Sequence, residues 1–503
     1  DAVYRTVQDK LRERVSVKDF GVVGDGVADD TAAIQRCCDA GGVYYIPDNS
    51  VIRLTAPITI SKPTSFVGDG CVAYVDLDET AANVRGPGAW FHIDHTGKGF
   101  VIDGTSGTSD SIAIIRFSGC GTFRNQPTPG AGPFTPAAND WDFDVADVEF
   151  QFDDFIALNP TKFFTASLTR GGRLRFSNVR GQPLQYGISI DQTYDVCYMD
   201  VHFWPYWSLN ANVRAYTLEN LFALATGRVD GLILHRFFTI FHYIGWDVRD
   251  NGWGTVNRAH CDWLYLDNGT RGLVITPSAS GATINAAELT VYGLPGSMSY
   301  GLEIAGNNNQ VTVGFGDFDT FYNQAIYISG TGNRVQIATP KFTNYNFKEV
   351  GPGVVVDAGN SLIFNGPVTH TPLGGRFLLA GAGSISATDQ WTSYTPVVTA
   401  GTGSITALGA VSAKYRVHGD MVDVTFLIEI TTNGTGGGAL LLSLPFTAAD
   451  FAFGSGRETV ATGVMCVVQA NQGTATAIIH TYASGYPGGD GYTIAGSISY
   501  RKQ

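Results

Sequence analysis

Charge is scarce in this 503-residue chain: 15% of residues are Asp, Glu, Lys or Arg, and the formal balance is −13 at pH 7. A protein that tracks phosphates needs a basic stripe, so the composition argues against nucleic-acid binding. Long apolar runs are missing as well. The strongest, "GLILHRFFTIFHYIGW", is broken by His235 and Arg236, short of the roughly 18 residues a membrane span requires. Cysteine is sparse and unpatterned: Cys37 adjoins Cys38, while Cys71, Cys120, Cys197, Cys261 and Cys466 are scattered without CxxC spacing. They read as small buried hydrophobes of a protein made in a reducing cytoplasm, and no metal site or cofactor is expected. The chain opens at Asp1 with no initiator methionine or signal-like segment, so it reads as a piece of something longer.

What the chain has is glycine and aromatics, with 62 Gly, 30 Phe and 22 Tyr. That mixture favours many short strands joined by tight turns. The length allows two to four domains or one elongated repeat. After residue 270 a repeat is visible: "GLVITPSASGATI", "GLEIAGNNNQVTV", "AIYISGTGNRVQI" and "GVVVDAGNSLIF" each read as strand, Gly/Asn/Ser turn, strand. Val311 and Val335 are 24 residues apart, and Val335 and Leu362 are 27 apart. The same offsets bring Asn309, Asn333 and Asn360 into line, as stacked amides bonding along an axis require.

Helix is rare. In "DDTAAIQRCCDAGG" Asp29 or Asp30 can cap, and Ala33, Ile34, Cys37 and Cys38 fall at helical spacing before Gly41. A stack of coils leaves the interior of its first coil open, and this helix, about 29–40, is expected to cover it.

Extending the repeat backwards places Val148, Val179, Val201, Phe237, Trp263, Leu289, Phe318 and Phe342 on one inward rung position. The residues just before them include Asp147, Asn178, Asp200, Arg236, Asp262, Glu288, Asp317 and Lys341. Rungs rise about 4.8 Å, so Asp262 and Glu288 are expected to be axial neighbours. Two such carboxylates favour one protonated and one ionised member, the division of labour of a glycosidase. The plainer alternative is chance stacking of acids on a solvated face. The interval from Val201 to Phe237 is 36 residues, long enough for an inserted excursion, about 204–230, with a helix from about 210 to 226. It begins near His202, Trp204, Tyr206 and Trp207 and ends at Arg228 and Asp230. Aromatic faces with Arg and acids around them suit a carbohydrate groove, although the two Trp can equally fill space under the helix. Glu219 and Asp230 are rival catalytic acids, Arg228, Arg236 and His202 can bind substrate or tune them, and Asp247 can line the same face. The acidic run "DWDFDVADVEFQFDD" reads as a strand pair with a solvated acidic face.

"VSVKDFGVVGDGVADDTAAIQ" followed by "GGVYYIP" resembles the N-terminal opening of the pectate-lyase-like right-handed parallel β-helix family. Preceded by "YRTVQDKLRER", it resembles the version found in bacteriophage tailspikes and tail fibres. The resemblance implies an all-β chain: a helical neck at 1–16, a right-handed parallel β-helix at 17–383 and a C-terminal antiparallel β-sandwich at 384–503 that serves trimer formation and sometimes sugar contact. Val3, Val7 and Leu11, four apart, fit a neck at a trimer axis. It further implies a homotrimer of the virion, held to the phage tail or baseplate by an absent N-terminal region, that recognises and cuts a bacterial surface polysaccharide such as capsule, exopolysaccharide or O-antigen. Three chemistries stay open. The first is endo-hydrolysis by a carboxylate pair. The second is β-elimination, with Arg236, Lys341, His202 or Tyr206 as base or uronate anchor. The third is adhesion without cleavage.

Overall fold

The computed structural model describes residues 6–8, 13–73, 85–104, 114–169, 172–294, 300–321, 323–345, 353–366, 368–371, 379–387, 391–418 and 420–503. The chain divides into two compact units, Asp1–Phe364 with Val368–Ser386, and Ala387–Gln503 with Asn365–Pro367. Of the expected neck, Val3 and Leu11 lie outside the described residues, and Val7 is exposed.

The first unit is a parallel β-helix. Its long rung strands are β1 (Glu149–Ala157), β2 (Leu174–Gly181), β3 (Tyr186–Phe203), β4 (Phe222–Ile240), β5 (Ala259–Gly269), β6 (Thr283–Gly293), β7 (Gln310–Phe321) and β8 (Arg334–Tyr345). Each pairs in parallel with the next. Shorter strands, among them Ile244–Val248, Arg271–Ile275 and Tyr300–Ile304, form a second parallel ladder. The period read from the sequence is the pairing register: Val311 is level with Val335, and Val335 with Leu362. At the turns Asn309 Nδ2 donates to Asn333 Oδ1 (3.0 Å) and Asn333 Nδ2 to Asn360 Oδ1 (3.0 Å). The same carbonyls also accept the backbone N–H of the residue one coil before, from Asn309 and Asn333 respectively. The ladder therefore satisfies buried main-chain donors that a turn would otherwise leave unpaired.

Along the long strands the expected register holds from Val179 to Phe237 and slips on either side. Val179, Val201 and Phe237 are level. The next in line are Leu264 and Leu289, not Trp263, and Phe318 and Phe342 are level with Val291. Asp262 and Trp263 are consecutive outward residues, because β5 turns a corner there and the two-residue alternation of a straight strand lapses. Val148 is buried but precedes β1, and Phe155 occupies its expected level.

Stacked phenylalanines fill the early coils. Phe100, Phe117, Phe143, Phe150, Phe152 and Phe155 are fully buried, with Phe100 and Phe143 offset in parallel at 5.0 Å. The acidic run is only partly a solvated face: Asp142 is buried against Arg124 at 2.8 Å. Helix α1 (Thr31–Ala40) buries Ala33, Ile34, Cys37 and Cys38. Its two preceding acids divide their work. Asp29 Oδ1 accepts from Thr31 N, and hydrogen bonds from Thr31 and Thr55 hold its carboxyl down at about 2. Asp30 accepts from Val23 and Gly24 N–H instead, pinning the glycine loop.

The excursion between β3 and β4 carries helix α2 (Ala211–Asn220), capped by Asn210 accepting from Asn212 N. It is shorter than expected. The helix ends at Asn220 rather than near 226, and Arg228 and Asp230 belong to rung strand β4.

The second unit is antiparallel; among its described residues nine strands form one continuous sheet. Residues from strands far apart in that order, such as Val424, Ile428, Leu440 and Ile479, share one buried cluster. The sheet therefore folds over its own core, a sandwich joined through a common sheet.

Candidate functional site

Three outward columns run along β3 to β8, set by the pairing register. In the first, Asp200, Arg236, Trp263, Glu288 and Phe315 are level in turn. In the second they are His202, Phe238, Tyr265, Thr290, Asp317 and Lys341. The third brings Ile240 level with Asp267, and Tyr292 with Asp319 and Thr343.

The aromatics form one stripe. His202 stacks on Phe238 at 4.6 Å, and Phe238 is near-parallel to Trp263 at 6.5 Å. Tyr265 breaks the pattern. Its ring stands at 88° to Phe238, 69° to Trp263 and 78° to Tyr292. Its ring thus meets three neighbours edge to face instead of continuing the stack, and an aromatic ring on an outward column is the kind of surface a sugar C–H face packs on.

Carboxylates converge on that ring. Burial pushes the Tyr265 hydroxyl up to about 12, and Asp267, Tyr292, Asp317 and Asp319 add to the rise. Tyr292 is raised by burial first and then by Asp317 and Asp319, with Asp267 also contributing. Asp267 itself is raised to about 6 by burial, opposed by the backbone of Asn268. Asp317 is almost fully buried; its Oδ2 is 2.8 Å from Lys341 Nζ, while Oδ1 has no hydrogen-bond partner. Asp319 Oδ1 accepts from Thr320 Oγ1 at 2.7 Å. Glu288 Oε1 accepts from Trp263 Nε1 at 3.0 Å and Thr290 Oγ1 at 3.1 Å. Among the described residues no three His, Cys, Asp or Glu side chains are grouped to hold a metal ion.

The residues singled out from the sequence fall in several places. Asp262 and Glu288 are not axial neighbours: Glu288 is level with Trp263. Asp262 is exposed one step earlier, before the corner, its Oδ2 2.8 Å from His235 Nδ1. The corner that put Trp263 outside also separates these two acids. Glu219 is exposed on α2. Arg228 holds Asp230 through two contacts, at 3.0 and 3.1 Å, well before the stripe on β4. Arg236 pairs with Asp200 at 2.5 Å. His202 belongs to the stripe, bonded to the Tyr206 hydroxyl at 2.8 Å and held below its ordinary value by burial and then by Arg180. Trp204 packs edge-on against Tyr206 and lines a crevice beneath α2. Trp207 is core: it is buried in a cluster with Trp90, Phe134 and Val213, because α2 must be seated on something apolar. Asp247 is buried too, its carboxyl raised by burial and drawn back by Arg249, 2.7 Å away.

Asp267, Asp319 and Tyr265 were not singled out. The available signal was the alternation of "WLYLDNG", in which Trp263, Tyr265 and Asp267 share one side once Leu264 and Leu266 are read as inward.

The opening of the chain is similar to known proteins. Residues 14–90 match the model of the Rhamnogalacturonase A/epimerase, pectate lyase-like family. Over 52 residues the chain is 48% identical to the tail spike protein of Shigella phage Sf6, a span of 9% of this chain and 8% of that protein. Over 37 residues it is 60% identical to the mannuronan C5-epimerase AlgE5 of Azotobacter vinelandii, 6% of this chain and 4% of that one. The chain thus spans less than a tenth of either relative's length. Among solved structures, the Dettilon tailspike protein matches 99% of this chain and 96% of its own at 13% identity and a TM-score of 0.41. A tailspike protein mutant of E. coli bacteriophage HK620, in complex with pentasaccharide, matches 100% and 96% at 11% identity and a TM-score of 0.44.

Proposed function

We propose that this chain, a pectate-lyase-like parallel β-helix similar to phage tailspikes, binds a bacterial surface polysaccharide along the stripe from His202 to Tyr292 and hydrolyses it within the chain. On this reading it is the receptor-binding and depolymerising part of a phage tail protein, working as a homotrimer. The observation that carries the reading is the meeting of an aromatic platform and unlike carboxylates on one outward face. Tyr265 is turned out of the ring stack, with Asp267 raised to about 6 beside it and Asp317 and Asp319 facing the same hydroxyls.

Asp267 is the general acid. A carboxyl that holds its proton near neutrality can deliver it to the leaving glycosidic oxygen. Asp319 is the base that draws a proton from water on the far side of the ring, and Asp317, buried beneath the face, holds Lys341 in place there. The two reacting acids sit on β5 and β7, two rungs apart, so their backbones are about 9–10 Å from each other. Side chains leaning toward each other from that spacing would bring the carboxyls into the range of about 6.5–9.5 Å that an inverting displacement uses. Glu288, held by Trp263 and Thr290, walls the groove and accepts sugar hydroxyls.

Elimination fits the face less well. It needs a cation to neutralise a uronate, and Arg236 and Lys341 are engaged by Asp200 and Asp317. Incubation with purified surface polysaccharide from a susceptible bacterium separates the chemistries. Hydrolysis yields new reducing ends without the ultraviolet absorbance of an unsaturated product. Absorbance growing with the ends would mean a lyase, and an unchanged chain length an adhesin.

A further inference from the structure

On the neighbouring face, before the corner at His235 and Arg236, lies a groove of about 410 Å³ lined by Tyr194, Val196, Asp230, Ile233, Arg258 and His260. Three independent features mark it. The first is a β-bulge. Thr193 is level with Val229 and Val196 with Gly231, so β3 takes three steps where β4 takes two. An extra residue lifts Tyr194 and Asp195 out of the coil, and bulges of this kind re-aim side chains. The second is exposed apolar surface on the lifted segment, with Tyr194 39% and Val196 41% exposed. The third is a fixed polar frame. Arg228 is locked onto Asp230 by two hydrogen bonds and lies 4.3 Å from the centre of the Tyr194 ring, which stiffens that side chain. Across the groove Arg258 is held in the left-handed region at φ 69°, a conformation a non-glycine residue adopts only when its surroundings demand it.

We infer that this groove is a second saccharide-binding site, which holds a segment of the same polysaccharide away from the reacting acids. The inference rests on the function proposed above. A pyranose unit would lay its C–H face on Tyr194, Val196 and Ile233, while Asp230, Arg258 and His260 take its hydroxyls, the mixed lining that sugar recognition needs. Holding one polymer at two places raises the effective concentration of the chain at the cleavage face. The groove therefore acts on long substrates and not on short ones.

The test uses the cleavage-impaired Asp267→Asn as parent on a microarray of purified bacterial capsular polysaccharides and O-antigens. Tyr194→Ala, Arg258→Ala and Gly231→Leu are added to it singly. The last fills the groove from a position where an added Cβ meets only Val196, at 3.5 Å. Each added change should weaken binding to the recognised polymer about tenfold. The same three changes in the wild-type background should leave kcat on a short end-labelled oligosaccharide unaltered, with circular dichroism and melting as in the wild type. Binding of all three variants equal to the parent's overturns the groove, and if cleavage still depends on Asp267 the proposed function survives it. A parent that binds no glycan on the array overturns both.

Discussion

Asp267 has a partner on its own turn, the amide of Asn268 at 2.9 Å, and otherwise an environment that resists charge. Its folded value, about 6, lies above its ordinary 3.8, so the folded chain keeps this proton in a window where the unfolded chain has released it. The stability associated with that proton is present below about 3.8, declines as pH rises to about 6 and is absent above it. Asp267→Asn should therefore leave acid stability unchanged and raise stability at pH 7–8 by about 1–2 kcal/mol, allowing for partial solvent screening. Urea titrations at the two pH values measure the difference. For the reaction the same substitution should cost about 10²–10⁴ in kcat with polysaccharide binding retained, and wild-type activity should fall above pH ~6. A pH–rate profile still rising at pH 8 would remove Asp267 from the acid's role. Tyr265→Ala should act differently, raising KM severalfold through loss of the platform.

At the scale of elements, the coil turns were legible because their chemistry is periodic. Asn309, Asn333 and Asn360 announce the stack from the sequence, and each amide bonds where the spacing places it. Asn333→Ala would leave the Asn309 N–H groups and the Gly306 and Ser329 carbonyls without their present partner. A loss of about 2–4 kcal/mol is expected by denaturant unfolding; a loss below about 0.5 kcal/mol would mean that water replaces the ladder. The site was less legible, for a physical reason. A straight strand alternates its faces, so reading Trp263 as inward followed from its apolar bulk. In the fold the strand turns there, and the indole N–H points out to Glu288. A single lapse in alternation moved the expected pair, Asp262 and Glu288, off one column and hid Asp267. Trp207 misled for the complementary reason. Composition does not distinguish a ring that seats a helix from a ring that seats a sugar, and only the packing around α2 separates them.

For the molecule as a whole, the parallel stack turns residues some 24–36 apart in sequence into continuous lengthwise columns, so a long groove needs no single long element. A column of this kind suits an extended, repetitive ligand, and the proposed trimer would present three such faces. Sedimentation equilibrium should give a mass near three times 53.7 kDa; a monomer at micromolar concentration would contradict that assembly. The most direct test of the central claim is a crystal structure of Asp267→Asn soaked with an oligosaccharide of the recognised polysaccharide. The account predicts a sugar ring packed on Tyr265, with a glycosidic oxygen within hydrogen-bond reach of the side chain at position 267 and Asp319 across the scissile bond. An oligosaccharide bound with its linkages remote from both acids would contradict it.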